Sequence, residues 1–128
     1  MSRILVIDDE VEFRALARRL LEAEGHEVLE AGTGQEGIEK FEAHLPDVIV
    51  TDIFMPEKSG IETILQIREK NATVRIIAVS GSGGLSTSDF LASAARAGAN
   101  QTLAKPFRAR QLVEAVQGDP SSPADKPR

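Results

Sequence analysis

The chain contains no cysteine, no tryptophan and no tyrosine, and its only aromatic residues are five phenylalanines. Without cysteine there is no disulfide framework and no thiol chemistry, which fits a reducing compartment. With no tryptophan, no tyrosine and no basic run, the chain offers no face for stacking nucleotides or gripping DNA. Acids outnumber bases, 20 against 15, for a net charge of −5. That is the wrong sign for displacing counterions from a nucleic acid. Long hydrophobic runs are also missing. The N-terminal run Ile4-Leu5-Val6-Ile7 is too short for a signal peptide, and nothing approaches the roughly 20 apolar residues that cross a bilayer. The expectation is one soluble, cytoplasmic domain with no direct nucleic-acid or membrane partner. An apolar content of 41% over 128 residues suffices for an ordinary core.

What is present is an alternation. Strand-like runs are expected at Arg3–Ile7, Glu27–Ala31, Asp47–Thr51, Arg75–Val79 and Asn100–Ala104. The first, third and fourth are continuously apolar, as in strands covered on both faces. The second, Glu27-Val28-Leu29-Glu30-Ala31, is more polar and reads as an edge. Between them lie helical stripes: Phe13, Leu16, Ala17, Leu20 and Leu21; then Gly37, Ile38 and Phe41; then Ile61, Ile64, Leu65, Ile67 and Arg68; then Phe90, Leu91, Ala94 and Ala95; then Ala109, Leu112, Val113 and Val116. Gly25 and Gly98 stand where C-caps are expected. Five βα repeats imply a parallel sheet with right-handed crossovers and helices on both faces. Gly81 to Ser88 reads as a mobile loop, with Ser88 or Asp89 capping the next helix. Residues 118–128, which hold three of the six prolines, read as a disordered tail or linker stub after a domain spanning 1–117.

Asp8, Asp9, Asp52, Ser80 and Lys105 all fall just past carboxyl ends of these strands, where open α/β sheets bind ligands. Like charges about 4 Å apart repel by roughly 4 kcal/mol at an effective dielectric of about 20. An acidic cluster of this kind therefore calls for a cation. Carboxylate oxygens suit Mg²⁺, which takes one or two from a protein and keeps waters besides. Asp52 can serve as a metal ligand, a nucleophile that forms an aspartyl phosphate, or both. Ser80 offers a hydroxyl donor and Lys105 a point charge. Each of these, taken alone, is also an ordinary capping acid, turn serine or solvated lysine; their convergence favours chemistry. Pro106 predicts a cis Lys105–Pro106 peptide that aims the lysine back over the strand ends. His26 and His44 read as surface residues, neither ligands nor phosphate carriers. Phe13, Phe41 and Phe90 read as core.

Together, Val6-Ile7-Asp8-Asp9-Glu10, Asp52-x-x-Met55-Pro56-x-x-x-Gly60, Ser80, Ala97-Gly98-Ala99 and Lys105-Pro106-Phe107 resemble the response-regulator receiver domain, the phosphoacceptor module of two-component signalling. The resemblance implies a doubly wound five-stranded parallel sheet in the order 2-1-3-4-5, flavodoxin-like. It implies that Asp52 accepts a phosphoryl group from a histidine kinase or phosphotransfer protein. Asp9 would ligate Mg²⁺ directly, Asp8 largely through water, and the Phe54 carbonyl would be a third protein ligand. Ser80 and Lys105 would bind the phosphoryl group. The face made by the fourth helix, fifth strand and fifth helix would then change and control a partner or output domain, as a stand-alone receiver or one cut from a larger regulator. Such a switch is not an enzyme beyond its own phosphorylation and dephosphorylation.

Two positions depart from the family pattern. Thr102 stands where the family usually has a switching aromatic, three residues before the lysine. Phe54, two residues past Asp52, is bulky at a position that influences hydrolysis in the family, implying slow loss of phosphate. A haloacid-dehalogenase-type phosphohydrolase uses similar groups, but it needs Asp-x-Asp after the first strand, where this chain has Asp8-x-Glu10. It also needs room for a cap domain. A flavodoxin-like cofactor binder needs a Ser/Thr/Gly-rich phosphate loop there, and Asp8 and Asp9 would repel the phosphate.

Overall fold

The computed structural model describes residues 2–55, 57–80, 87–105 and 107–118. Strands and helices alternate as β1 (Arg3–Ile7), α1 (Val11–Ala23), β2 (Glu27–Ala31), α2 (Gly34–His44), β3 (Val48–Asp52), α3 (Gly60–Lys70), β4 (Arg75–Ser80), α4 (Thr87–Ala97), β5 (Gln101–Ala104) and α5 (Ala109–Gln117). The five strands form one parallel sheet in the order β2-β1-β3-β4-β5. The polar second run is an edge strand, as its sequence predicts. β3 and β4 each run one residue further than expected, so Asp52 and Ser80 are the last residues of their strands.

The continuous apolar runs divide residue by residue between two cores. Leu5, Ile7, Ile49, Ile76 and Ala78 face α2, α3 and α4, packing with Ile38, Phe41, Ile64, Ile67 and Ala94. Ile4, Val6, Val48, Val50, Ile77 and Val79 face α1 and α5, packing with Ala17, Leu21, Leu112, Ala115 and Val116. Side chains alternate across a strand, so a strand with helices on both faces is apolar at every position. Full burial of each Val, Leu, Ile or Phe side chain contributes about 1.5–3 kcal/mol.

Local chemistry ends α1 where the sequence says. After α1, Gly25 has φ +90, and the Gly25 and His26 amides donate to the Glu22 and Leu21 carbonyls, a Schellman closure that favours glycine. Ser59 and Glu62 form a reciprocal capping box at the start of α3. α4 begins at Thr87, so Ser88 and Asp89 lie inside its first turn and not before it. The expected loop is shorter than Gly81–Ser88, and its residues 81–86 lie outside the described residues. So do Pro106, and with it the expected cis peptide, and the expected tail beyond Gly118.

Several side chains differ from their expected placement. Leu16 and Leu65 are each 48% exposed and Phe90 is 38% exposed, although all three fall on apolar stripes. Each stripe is wider than the strip of sheet beneath its helix, so a residue at the stripe's margin turns outward. His26 is buried, contrary to its surface reading. Its Nδ1 accepts the Ser2 amide at 3.1 Å, and the Gln117 side chain lies 3.4 Å from its Nε2. The start of the chain and the end of α5 cover a turn that looks open from its own neighbours in sequence. Arg75, at the start of β4, is also buried: it donates to the Ala115 carbonyl at 2.7 Å and to Gln101 Oε1 at 2.9 Å, fastening α5 to the sheet.

Candidate functional site

The sheet winds one way from β1 to β2 and the other way from β3 to β5. β1 and β3 flank the reversal; Asp8 directly follows β1, and Asp52 is the last residue of β3. That is the switch point at which open α/β sheets hold ligands. The Asp8 amide donates to the Ala31 carbonyl at 3.0 Å, the Ile53 amide to Val79 at 2.9 Å and the Lys105 amide to Ser80 at 2.8 Å. These bonds extend the ladder one step past each strand and fix where the site residues leave it.

Asp8 is fully buried, Asp52 is 5% exposed and Asp9 is open to solvent. Each offers a carboxylate oxygen, and these oxygens lie within 4.8 Å of one another. The Asp8 carboxylate accepts from the Glu10 amide at 2.8 Å and from Lys105 Nζ at 3.2 Å. Lys105 Nζ also donates to Glu10 Oε1 at 3.0 Å and sits 4.1 Å from the centroid of the Phe13 ring. Ser80 is fully buried at the end of β4. All five side chains expected at the site are therefore brought to one edge of the sheet.

Electrostatics distinguish their roles. Burial raises the Asp52 carboxyl to about 6, with the Asp8 charge adding to the effect, against the opposing pull of Lys105 and the Phe54 amide. Burial likewise raises Asp8, outweighing its bond from the Glu10 amide and the Lys105 charge. Burial alone would lower Lys105, but its hydrogen bonds to Glu10 and Asp8 and the charges of Asp8 and Asp52 hold it above its ordinary value. One ammonium thus leaves two buried carboxyls short of countercharge. Three hard oxygen donors within reach of one point fit a divalent cation with oxygen preference.

The segment after β3 shapes the site. Met55 is 9% exposed and packs into the core under α3, drawing the chain inward. Glu57 has φ +70, and the Gly60 amide donates to the Ile53 carbonyl at 2.8 Å. A Cβ on Gly60 would run into the Asp52 carbonyl oxygen and sit 2.7 Å from Ile53 Cα. The spacing from Asp52 through Met55 to Gly60 is therefore the spacing of a tight return over the end of β3. Phe54, between Asp52 and Met55, gives its amide to Asp52 Oδ1 at 3.4 Å.

Sequence reasoning missed Glu10 and Phe13 as the partners that hold Lys105. Glu10 was visible only as one more acid in its cluster, and Phe13 as one more core residue on a helical stripe. It also missed Arg14, which donates to the Asp8 carbonyl at 2.7 Å and to Glu30 at 3.1 Å, and so fixes the chain at Asp8 against β2.

A doubly wound sheet with paired acids after β1, an acid ending β3, a hydroxyl ending β4 and a lysine after β5 defines a class of protein. Residues 4–117 match the family model of the response regulator receiver domain, and the chain belongs to that family of signalling switches. Chemotaxis protein CheY of Bacillus subtilis (strain 168) is 37% identical over 115 residues, covering 89% of this chain and 93% of that protein. Transcriptional regulatory protein PdtaR of Mycobacterium tuberculosis (strain H37Rv) is 35% identical over 116 residues, covering 90% of this chain and 55% of that protein. A crystal structure of a response regulator receiver domain protein from Clostridium thermocellum superposes with a TM-score of 0.84 at 34% identity, covering 91% of each chain. Among the described residues no helix is long and apolar enough to cross a membrane.

Proposed function

We propose that this receiver domain takes a phosphoryl group on Asp52 from the phosphohistidine of a kinase or phosphotransfer protein, with Mg²⁺, and hands the change to a protein partner or output domain. The observation that carries the reading is Asp52 itself. It is a nearly buried carboxylate at the end of a central strand, with two further carboxylates clustered beside it and the Lys105 ammonium seated on one of them, Asp8.

With its carboxyl raised to about 6, Asp52 is mostly ionised at pH 7 and available as a nucleophile. One Asp52 oxygen bonds to phosphorus and the P–N bond of the donor breaks. The electron pair stays on the imidazole nitrogen, which takes a proton from solvent. Asp9, Asp52 and the Phe54 carbonyl would hold Mg²⁺ directly, and Asp8 largely through water. When bound, the ion would supply positive charge that offsets the negative charge of the carboxylates and of the incoming phosphoryl group. Lys105, resting on Asp8 and Glu10, turns its ammonium to a second phosphoryl oxygen. Ser80 donates its hydroxyl to a third. The move of Ser80 biases the α4–β5–α5 face toward a second state.

Intact mass after incubation with Mg²⁺ and acetyl phosphate tests the reading. One phosphoryl group on the wild type and none on Asp52→Asn is expected. An adduct that persists in Asp52→Asn would place the acceptor elsewhere.

A further inference from the structure

Among the described residues, Phe54 and Phe90 are two of the few large apolar side chains left in solvent, 45% and 38% exposed. They nevertheless meet each other, ring centroids 4.6 Å apart at 76°, the edge-to-face geometry in which aromatic pairs attract. Their backbones belong to different parts of the machine. Phe54 lies two residues past Asp52, and its amide donates to Asp52 Oδ1 at 3.4 Å, a long bond sensitive to small movements of its loop. Phe90 is on α4, whose buried side is formed by Ala94 and the partly buried Leu91 and Ala97. Phe90 therefore adds little to holding α4 on the sheet. What it holds is Phe54. Meanwhile β5 carries Thr102, half-buried and in register with Ala78, so that strand provides no ring to link the site with α4.

We propose that Phe90 is a positioning residue for the phosphoryl chemistry at Asp52. Its ring fixes the Phe54 ring, and with it the loop whose amide faces the acceptor carboxylate. The proposal rests on the reading of Asp52 as phosphoacceptor. Held in place, the Phe54 side chain keeps water from the aspartyl phosphate. In the loss reaction a water oxygen bonds to phosphorus and the bond from phosphorus to the Asp52 oxygen breaks. The electron pair returns to the carboxylate, and the water's protons leave with inorganic phosphate and solvent. Freeing Phe54 admits that water more often. Through the same contact, a partner that moves the Phe90 ring alters the lifetime of the phosphoryl group.

The experiment follows phosphoryl loss by intact mass after acetyl phosphate is removed, in wild type, Phe90→Ala, Phe90→Tyr, Phe54→Ala and the double Ala variant. A parallel ¹H–¹⁵N spectrum of each metal-free protein follows the Asp52 and Phe54 amides. The expected half-life falls about threefold to tenfold in Phe90→Ala, the range an aromatic pair is worth. The double variant should match Phe54→Ala, because each single change removes the same contact. Phe90→Tyr, which keeps the ring, should retain the wild-type half-life. The two amides should shift in Phe90→Ala and not in Phe90→Tyr. An unchanged half-life in Phe90→Ala, or single effects that add in the double variant, overturns the proposal while leaving Asp52 as acceptor. A wild type that takes up no phosphoryl group overturns the reading of Asp52 and this proposal with it. If Phe90→Ala unfolds, Phe90→Leu is read the same way.

Discussion

Between about pH 4 and 6 the fold keeps Asp52 protonated, whereas the free side chain is mostly ionised there. An unfolded aspartate ionises near 3.8, whereas in the fold the same group ionises at about 6, chiefly through burial and then through Asp8. Between those values the folded protein keeps a proton that the unfolded chain releases. The contribution of this group to stability is therefore present at low pH, is lost as pH rises from about 4 to 6, and changes no further above that. In the metal-free protein Asp52→Asn should raise stability at pH 7 by up to about 3 kcal/mol, the free energy of a two-unit shift. The gain should shrink at pH 5 and vanish near pH 4. Thermal melts of both proteins across that range check it. Phe54 acts at the same scale but on kinetics. Replacing the ring with a small polar group, Phe54→Asn, should shorten the phosphoryl half-life severalfold; a wild-type half-life no longer than that of the variant would remove the shielding role.

At the scale of the element, the return from β3 into α3 is closely constrained at Met55 and Gly60. Met55 pulls it into the core, and Gly60 lies directly on the β3 backbone, with no space for a methyl group beside the Asp52 carbonyl. Backbone atoms cannot move aside as a flexible side chain does. Gly60→Ala should therefore cost about 1–3 kcal/mol or more, read as a fall in Tm of roughly 5–15 °C. At a temperature where the variant is still folded, phosphorylation should fall as well, because the displaced atoms belong to the acceptor residue. Helices obey a looser rule. Ala17, Leu21, Ile64, Ile67 and Ala94 are buried as their spacing predicts, while Leu16, Leu65 and Phe90 on the margins of the same stripes are not. Periodicity finds the direction of a helical face, and the width of the sheet beneath decides how much of it is covered.

For the whole molecule, five strands are arranged so that their carboxyl ends share one edge, and the acids on that edge repel one another. A cation that binds there binds only the folded chain, so it stabilises by mass action, about 2.7 kcal/mol at a hundredfold excess over its Kd. Adding Mg²⁺ at pH 7 should raise Tm by roughly 10 °C, and Asp9→Asn should abolish most of that rise. A melt insensitive to Mg²⁺ would contradict the proposed ion site. The acids pull against the fold and the ion relieves them, so ligand and stability are coupled through the same few residues.

By itself the sequence determined the strands, their parallel pairing, the edge character of β2, and the position of Asp8, Asp9, Asp52, Ser80 and Lys105 at strand ends. It could do so because strand runs, helical spacing and glycine caps are local patterns, and because connection rules leave few ways to order such a chain. The order of strands came with the motif set, whose spacing in this family belongs to one topology. Only the tertiary structure decided the rest. It set Lys105 on Asp8, Glu10 and Phe13, buried His26 beneath Ser2 and the end of α5, sank Arg75 against α5, and turned Phe90 out of the core onto Phe54. Each of these joins residues far apart in sequence, or depends on which element happens to lie above a face. No local pattern encodes such distances; they follow from how completely the helices cover the sheet and from where its two edges end.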